Sequence, residues 1–416
     1  MAGGTTHVIG AGLAGLAAAV KLSQAGRRVI VHELARHAGG RCRSYFEPAL
    51  ELTIDNGNHL LLSGNRSALK FLETIGARHL VTGPETPQFA FCDYPSGERW
   101  TVRPNAGVLP WWIFSSARRV PGSRARDYVD LARLMTATPS QKISDVMDCT
   151  GDLYHRLWRP VLLAALNSEP DEASASLAGA VIRETLARGG NASRPLIAAN
   201  GLGPALVDPA LQFIERHGGA IRFDCALRGI EFSQGRAATL VFADAATALG
   251  AEDDVIVAVP AWVARTLIPG LEVPTAYRAI LNAHFKITPP AGSEKILGVI
   301  GAVTEWLFAF DDRLSVTVSA ADRFIEADRE TLAREIWGEV SKLTGLTSTL
   351  PPWQIVKERR ATFAALPAED AKRPGARTQW RNMHLAGDWT ATGLPATIEG
   401  SIRSGETAAN LVNNRF

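Results

Sequence analysis

The chain has 416 residues, 46% of them apolar and 21% charged, and a formal net charge of +2. That length predicts two to three domains, or one large domain carrying an insertion, with enough core to bury a large cofactor. The composition excludes general disorder, and the absence of basic runs interleaved with aromatics excludes a nucleic-acid groove, so no nucleic-acid partner is expected.

From Thr6 the sequence THVIGAGLAGLAAAVKLSQAGRRVIVHE reads as strand, glycine turn, helix and strand. Gly10 permits the tight turn, Gly12 lets the backbone approach a pyrophosphate, and Gly15 lets helix and strand pack closely. The amides of Leu13 and Ala14 then stand at the helix N-terminus, where free N–H groups and the positive dipole end favour phosphate. Glu33 closes the second strand about 20 residues on, where a carboxylate can accept both ribose hydroxyls. The apolar run Val8 to Val20 is no signal peptide, since no Lys or Arg precedes it and glycines interrupt it. No spanning helix is expected either, because the uncharged run Ile296 to Val303 falls far short of roughly 20 residues.

The loop after Glu33 ends in Gly39-Gly40-Arg41 and narrows the cofactor to FAD. Here the sequence resembles the flavoprotein superfamily of amine oxidases and carotenoid desaturases. By that resemblance Gly40 approaches the pyrophosphate and Arg41, with Arg43 behind it, neutralises phosphate charge. Next comes Asp55-Asn56-Gly57-Asn58-His59, a hairpin's length further on, whose Gly57 and Asn58 are expected to touch FAD. Asp55 and His59 are candidate proton donors near the flavin; the alternative is that Asp55 caps a turn and His59 packs against the isoalloxazine.

Val108 to Phe114 (VLPWWIF) is followed by Arg118, Arg119, Arg124 and Arg126. This pattern suits either an interfacial dip with phosphate-facing arginines or a buried cap helix with a basic end. Leu163 to Ser176 reads LAALNSEPDEASAS. From Gly201 the chain predicts a helix, a strand, a hairpin and the apolar strand Val255 to Val259, stopped by Pro260; in the resembled fold the backbone at Leu227 meets adenine. The four cysteines form no CxxC pair and the nine histidines no HExxH, so neither metal nor disulfide is expected, and a reducing cytoplasm fits.

The end of the chain, from Met383, reads MHLAGDWTATGLPATIEGSIRSGETAANLV and resembles the C-terminal flavin motif of the same superfamily. There Asp388, after Gly387, would accept hydrogen bonds from ribitol or pyrophosphate-side hydroxyls, and the amides of Thr397 and Ile398 would face the flavin N1 and O2 edge. Together with LNSEPDE and the Asp55 segment, this motif makes nearly the whole chain resemble the squalene-associated FAD-dependent family, the bacterial hydroxysqualene dehydroxylases.

The resemblance implies an α/β fold: a two-dinucleotide-binding, Rossmann-like FAD domain with an inserted substrate domain of mixed sheet and helices. The expected division is 1–85, 196–265 and 375–416 for FAD, and 86–195 with 266–374 for substrate and cap. It also implies a lipophilic triterpenoid substrate, an electron donor that the sequence does not identify, and a cytoplasmic location or one peripheral to the inner membrane face. Two other readings remain, a carotenoid-type polyene desaturase and a non-catalytic prenyl-binding carrier like the GDP dissociation inhibitors. Retention of Glu33, Arg41 and Asp388 argues against the carrier.

Overall fold

The computed structural model of the protein describes residues 4–414. Alternating β-branched residues at Thr5–Ile9, Arg28–His32 and Asp254–Val257 build the centre of a five-stranded parallel sheet, bordered by Ala220–Arg222 and Met383–Leu385. Its strands come from three stretches far apart in sequence, so the sheet closes only when both ends of the chain meet. The helix Leu13–Gln24 follows the first strand and buries ten of its twelve residues, because it lies between the sheet and the C-terminal helix Ile398–Asn413. Such a helix reads as apolar all round rather than as a one-sided stripe. Gly26, at φ +76°, ends it.

The fold is α/β, and its second half is a seven-stranded mixed sheet built from Phe89–Asp93, Arg99–Val102, Tyr277–Lys286, Ile296–Ile300, Trp306–Ala309, Arg313–Val318 and Trp353–Phe363. One face is apolar: Leu281, Ala283, Phe285, Leu314, Val316 and Val318 pack on Trp337 and its neighbours in the helix Arg329–Thr344. The residues in between, Asn282, His284, Ser315 and Thr317, point the other way, as the two-residue period of a strand demands. They too are largely buried.

Helices of residues 151–184 cap this sheet, with Tyr128, Trp158, Leu162 and Leu166 packing toward Trp306 and Phe308. The segment LNSEPDE is the joint between cap and sheet. Asn167, held at φ +48°, accepts the Ala320 amide at 2.7 Å and donates to Thr362 Oγ1 at 3.0 Å. Ser168 Oγ accepts the Ala365 amide at 3.0 Å. Two strand ends are thus fixed by consecutive side chains. The strand expected over Val255 to Val259 spans Asp254–Val257 instead, because Pro260 already serves as the N-cap of the helix Ala261–Leu267.

Candidate active site

The site starts at the glycine turn. Gly10 lies at φ +106°, and a Cβ on Gly15 would sit 2.0 Å from the Gly10 carbonyl oxygen, so neither position admits a side chain. A Cβ on Gly12 would meet nothing within 4 Å. The turn is therefore closed on its strand side and open on the other, where the amides at Leu13 and Ala14 begin the helix, the shape a pyrophosphate requires. Glu33 fixes this turn: Oε2 accepts the Ala11 amide at 2.7 Å and Oε1 the Ala35 amide at 2.9 Å. A carboxylate has about four acceptor positions, which leaves room for ribose hydroxyls. Cys225, two residues before Leu227, donates its amide to the Glu33 carbonyl at 2.8 Å, so Leu227 lies at this ribose end. Leu34 and Phe223 expose 69% and 38% of their surface there, apolar area of the kind a flat purine covers. These residues fit FAD at the adenosine end.

At the other end Arg41 donates to Asp388 Oδ1 at 2.7 Å and to the Ala361 carbonyl at 2.5 Å. Burial opposes the guanidinium charge, but Asp388 outweighs it and raises the Arg41 pKa. Arg41 thus ties the GGR loop to the C-terminal motif. Arg43 donates to the Gly40 carbonyl at 2.9 Å. Arg373, which sequence reasoning did not single out, is 7% exposed and donates to the carbonyls of Asp388 and Thr390. It shapes the loop after Gly387 as a buried guanidinium can, with several carbonyls at once. Thr397 Oγ1 accepts the Gly400 amide at 3.0 Å as N-cap of the last helix, and so sets where the Ile398 amide starts it. Glu399, one residue on, accepts the amides of Ser67 and Ala68 at 3.0 and 2.8 Å. It thereby caps the helix Arg66–Thr74.

The loop at residues 55–59 joins the two halves. Asp55 is 3% exposed, and its Oδ1 accepts the Ser44 hydroxyl at 2.5 Å and the Leu202 amide at 2.9 Å. Burial pushes its pKa up against these bonds. Through Oδ1 the side chain caps the turn entering residues 203–207. Burial, with the Arg41 charge behind it, lowers the His59 pKa to about 4. His59 is thus a neutral imidazole near pH 7, suited to packing and hydrogen bonding rather than to acid work.

Asn282 Nδ2 donates to the Asn56 carbonyl at 3.3 Å, Asn282 Oδ1 accepts the Thr317 hydroxyl at 2.8 Å, and Asn58 Nδ2 donates to Thr317 Oγ1 at 3.1 Å. A Cβ on Gly57 would stand 3.2 Å from the Asn282 amide. The flavin-side loop thus rests on the polar face of the seven-stranded sheet. Asn282 and Thr317 carry no motif, and only their alternation with buried apolar residues could have marked them.

Residues 13–413 match the family model described as flavin containing amine oxidoreductase. The chain is 54% identical to the hydroxysqualene dehydroxylase of Rhodopseudomonas palustris, with 98% of each chain covered. It is 51% identical to the enzyme so named in Sinorhizobium fredii, covering 97% of each, and 46% to that of Zymomonas mobilis, covering 98% of each. A probable zeta-carotene desaturase of Synechococcus elongatus is 22% identical over 97% of each chain. Among solved structures, a putative protoporphyrinogen oxidase from Exiguobacterium superposes with a TM-score of 0.71 at 16% identity over the full length of both chains. Cyclohexylamine oxidase from Brevibacterium oxydans gives 0.71 at 16%, covering 99% of each. The match over residues 13–413 and the near-full-length identities show that the chain belongs to the flavin-containing amine oxidoreductase family and is an FAD-dependent oxidoreductase.

Proposed function

We propose that this enzyme reductively removes the allylic hydroxyl of hydroxysqualene to give squalene. The observation that carries the reading is near-full-length identity of 46–54% to three proteins named for that activity. Reduced FAD supplies a hydride when bound. The chain's own residues must hold the cofactor, keep water from an allylic cation and deliver a proton to the departing oxygen. The aromatic wall of Trp306, Phe308 and Phe310 suits a hydrocarbon. The polar face of Asn282 and Thr317 suits its one hydroxyl. Under this reading Gly10, Gly12, Leu13, Ala14, Gly15, Glu33, Gly40 and Leu227 serve the adenosine diphosphate half of FAD. Arg41, Gly57, Asn58, Gly387, Asp388, Thr397 and Ile398 serve the flavin half. Residues 1–85, 196–265 and 375–416 form the FAD domain, and 86–195 with 266–374 form the substrate domain.

No helix among the described residues is long and apolar enough to cross a membrane, yet the substrate is bilayer-soluble. The exposed large apolar residues concentrate in one segment: Val108, Leu109, Trp111, Phe114 and Val129 are each 56–65% exposed. The two tryptophans of the motif split, since Trp112 is buried edge-on against Tyr128 and anchors the segment. Trp111 and Phe114 remain free to dip into a membrane surface beside Arg118, Arg124 and Arg126. Incubating dithionite-reduced enzyme with hydroxysqualene should yield squalene by chromatography. Formation of a longer conjugated chromophore from a polyene precursor, with no squalene, would instead establish a desaturase.

A further inference from the structure

The reaction needs an acid; Oδ1 of Asp55 is engaged by Ser44 and Leu202, and burial keeps His59 neutral near pH 7. The polar face of the substrate sheet continues past them. Along the strand Arg313–Val318, Leu314, Val316 and Val318 enter the helix-packed core. Ser315 pairs with His284 Nδ1 at 2.8 Å, and Thr317 with Asn282 and Asn58. Ser319, buried and two residues beyond Thr317, comes next, a step of about 7 Å along the chain. Its amide donates to Glu305 Oε2 at 2.7 Å. Glu305 precedes Trp306, which pairs in register with Thr317. The hydrogen bonds from the backbone and side chain of Ser319 put the Glu305 carboxyl group at the far end of the polar stripe that begins at residues 55–59.

That carboxyl group has no ion-pair partner among the described residues. Arg159 of the cap is held by both oxygens of Glu169, at 3.0 and 2.9 Å, and Arg323 donates to the Ala320 carbonyl at 3.3 Å. Glu339, from the helix behind, is occupied by the amides of Val303 and Thr304. Among the described residues, Ser319 supplies the hydrogen bonds of the Glu305 carboxyl group. Burial raises its pKa to about 7, against the Ser319 bonds and the charges of Arg323 and Arg159. A carboxyl group poised near neutrality in a half-buried apolar setting can give up a proton at working pH.

We infer that Glu305 is the catalytic acid that protonates the departing hydroxyl. The inference rests on the dehydroxylase reading above. The substrate carries a single polar group along a hydrocarbon chain, and placing a hydroxyl against an apolar wall without a partner costs about 1–3 kcal/mol, so the hydroxyl belongs on this stripe. Glu305 would pass its proton to the departing oxygen as the C–O bond breaks and water leaves, while reduced FAD, when bound, would supply the hydride for the vacated carbon. The substrate gains two electrons, the flavin loses two, and Glu305 recovers its proton from solvent.

The test compares wild type with Glu305→Gln under single-turnover conditions with pre-reduced enzyme. Gln keeps an acceptor for the Ser319 amide and so preserves the structural role while removing the acid. Turnover should fall on the order of 10²- to 10⁴-fold, the span general acids contribute, with flavin content and squalene affinity unchanged. In the wild type the rate should decline as pH rises through about 7, and the residual rate of the variant should lack that limb. Near-normal turnover in the variant, or a wild-type profile flat from pH 5 to 9, overturns the inference and leaves the dehydroxylase reading standing. Failure of the wild type itself to form squalene removes the reading, and the inference with it.

Discussion

The two ends of the cofactor site are built by opposite means. At the adenosine end the work is done by backbone: a glycine turn shaped by the absence of side chains, a helix N-terminus, and one carboxylate bonded to two amides close in sequence to itself. At the flavin end it is done by side chains that meet from remote parts of the chain, with Arg41 on Asp388, Asn58 on Thr317 and Glu399 on the amides of residues 67 and 68. Local backbone geometry tolerates almost no substitution but asks nothing of the rest of the fold. Long-range pairs tolerate more and fail more gently.

That contrast is sharpest at the glycines. Gly15→Ala would drive a Cβ to 2.0 Å from a carbonyl oxygen, so we expect colourless protein that is destabilised by several kcal/mol, about 3 or more, seen in thermal melts. Gly12→Ala, which meets nothing in the protein, should leave the melt of the cofactor-free protein unchanged and lower only FAD retention. Equal damage from both would break the distinction between a closed and an open side of the turn. Asp388→Asn, which removes one half of a pair whose Arg41 side chain is 40% exposed, should weaken FAD binding by roughly tenfold, about 1.4 kcal/mol, measured by equilibrium release of the cofactor.

A smaller effect is expected from Glu399→Gln. The carboxylate sits at a helix N-terminus, so losing its charge should cost about 1 kcal/mol of stability with little change in flavin absorbance. Near the small end, Trp111→Ser with Phe114→Ser alters exposed residues only and should leave the melting temperature within about 1 °C while reducing flotation with anionic liposomes. Glu305 adds a pH-dependent sign. A carboxyl group whose folded pKa is raised from 4.5 to about 7 holds its proton in the fold where the unfolded chain has released it, so stability that is intact below pH 4.5 is lost progressively as pH rises to about 7 and is not lost further above it. Relative to wild type, Glu305→Gln should therefore gain melting temperature as pH rises from about 4 to about 7 and hold that gain at about pH 8.

The same contrast explains what the sequence disclosed. The Gly10 turn, Glu33 and the Gly387-Asp388 motif are local arrangements, and local geometry leaves a fixed spacing that can be read directly. The motif marks Arg41 but not its Asp388 partner, which lies 347 positions away and which only the folded chain brings to it. The sequence leaves Asp55 between a proton donor and a turn cap, since nothing in its own segment reveals its Ser44 and Leu202 partners. Asn282, Thr317, Glu305 and Arg373 were not singled out at all. Each lies in a stretch with no motif: the strand alternation that places Asn282 and Thr317 also fits any half-buried sheet, and Glu305 and Arg373 lie outside the strands. The segment LNSEPDE, which helped suggest the family, proves to be a mechanical joint between cap and sheet.

The most direct test of the account follows the flavin itself: reduce the holoenzyme anaerobically, add hydroxysqualene, and record flavin absorbance together with product. The account predicts reoxidation that yields one squalene for each flavin. A flavin that stays reduced in the presence of hydroxysqualene, while oxidised enzyme is bleached by a polyene precursor, would contradict it.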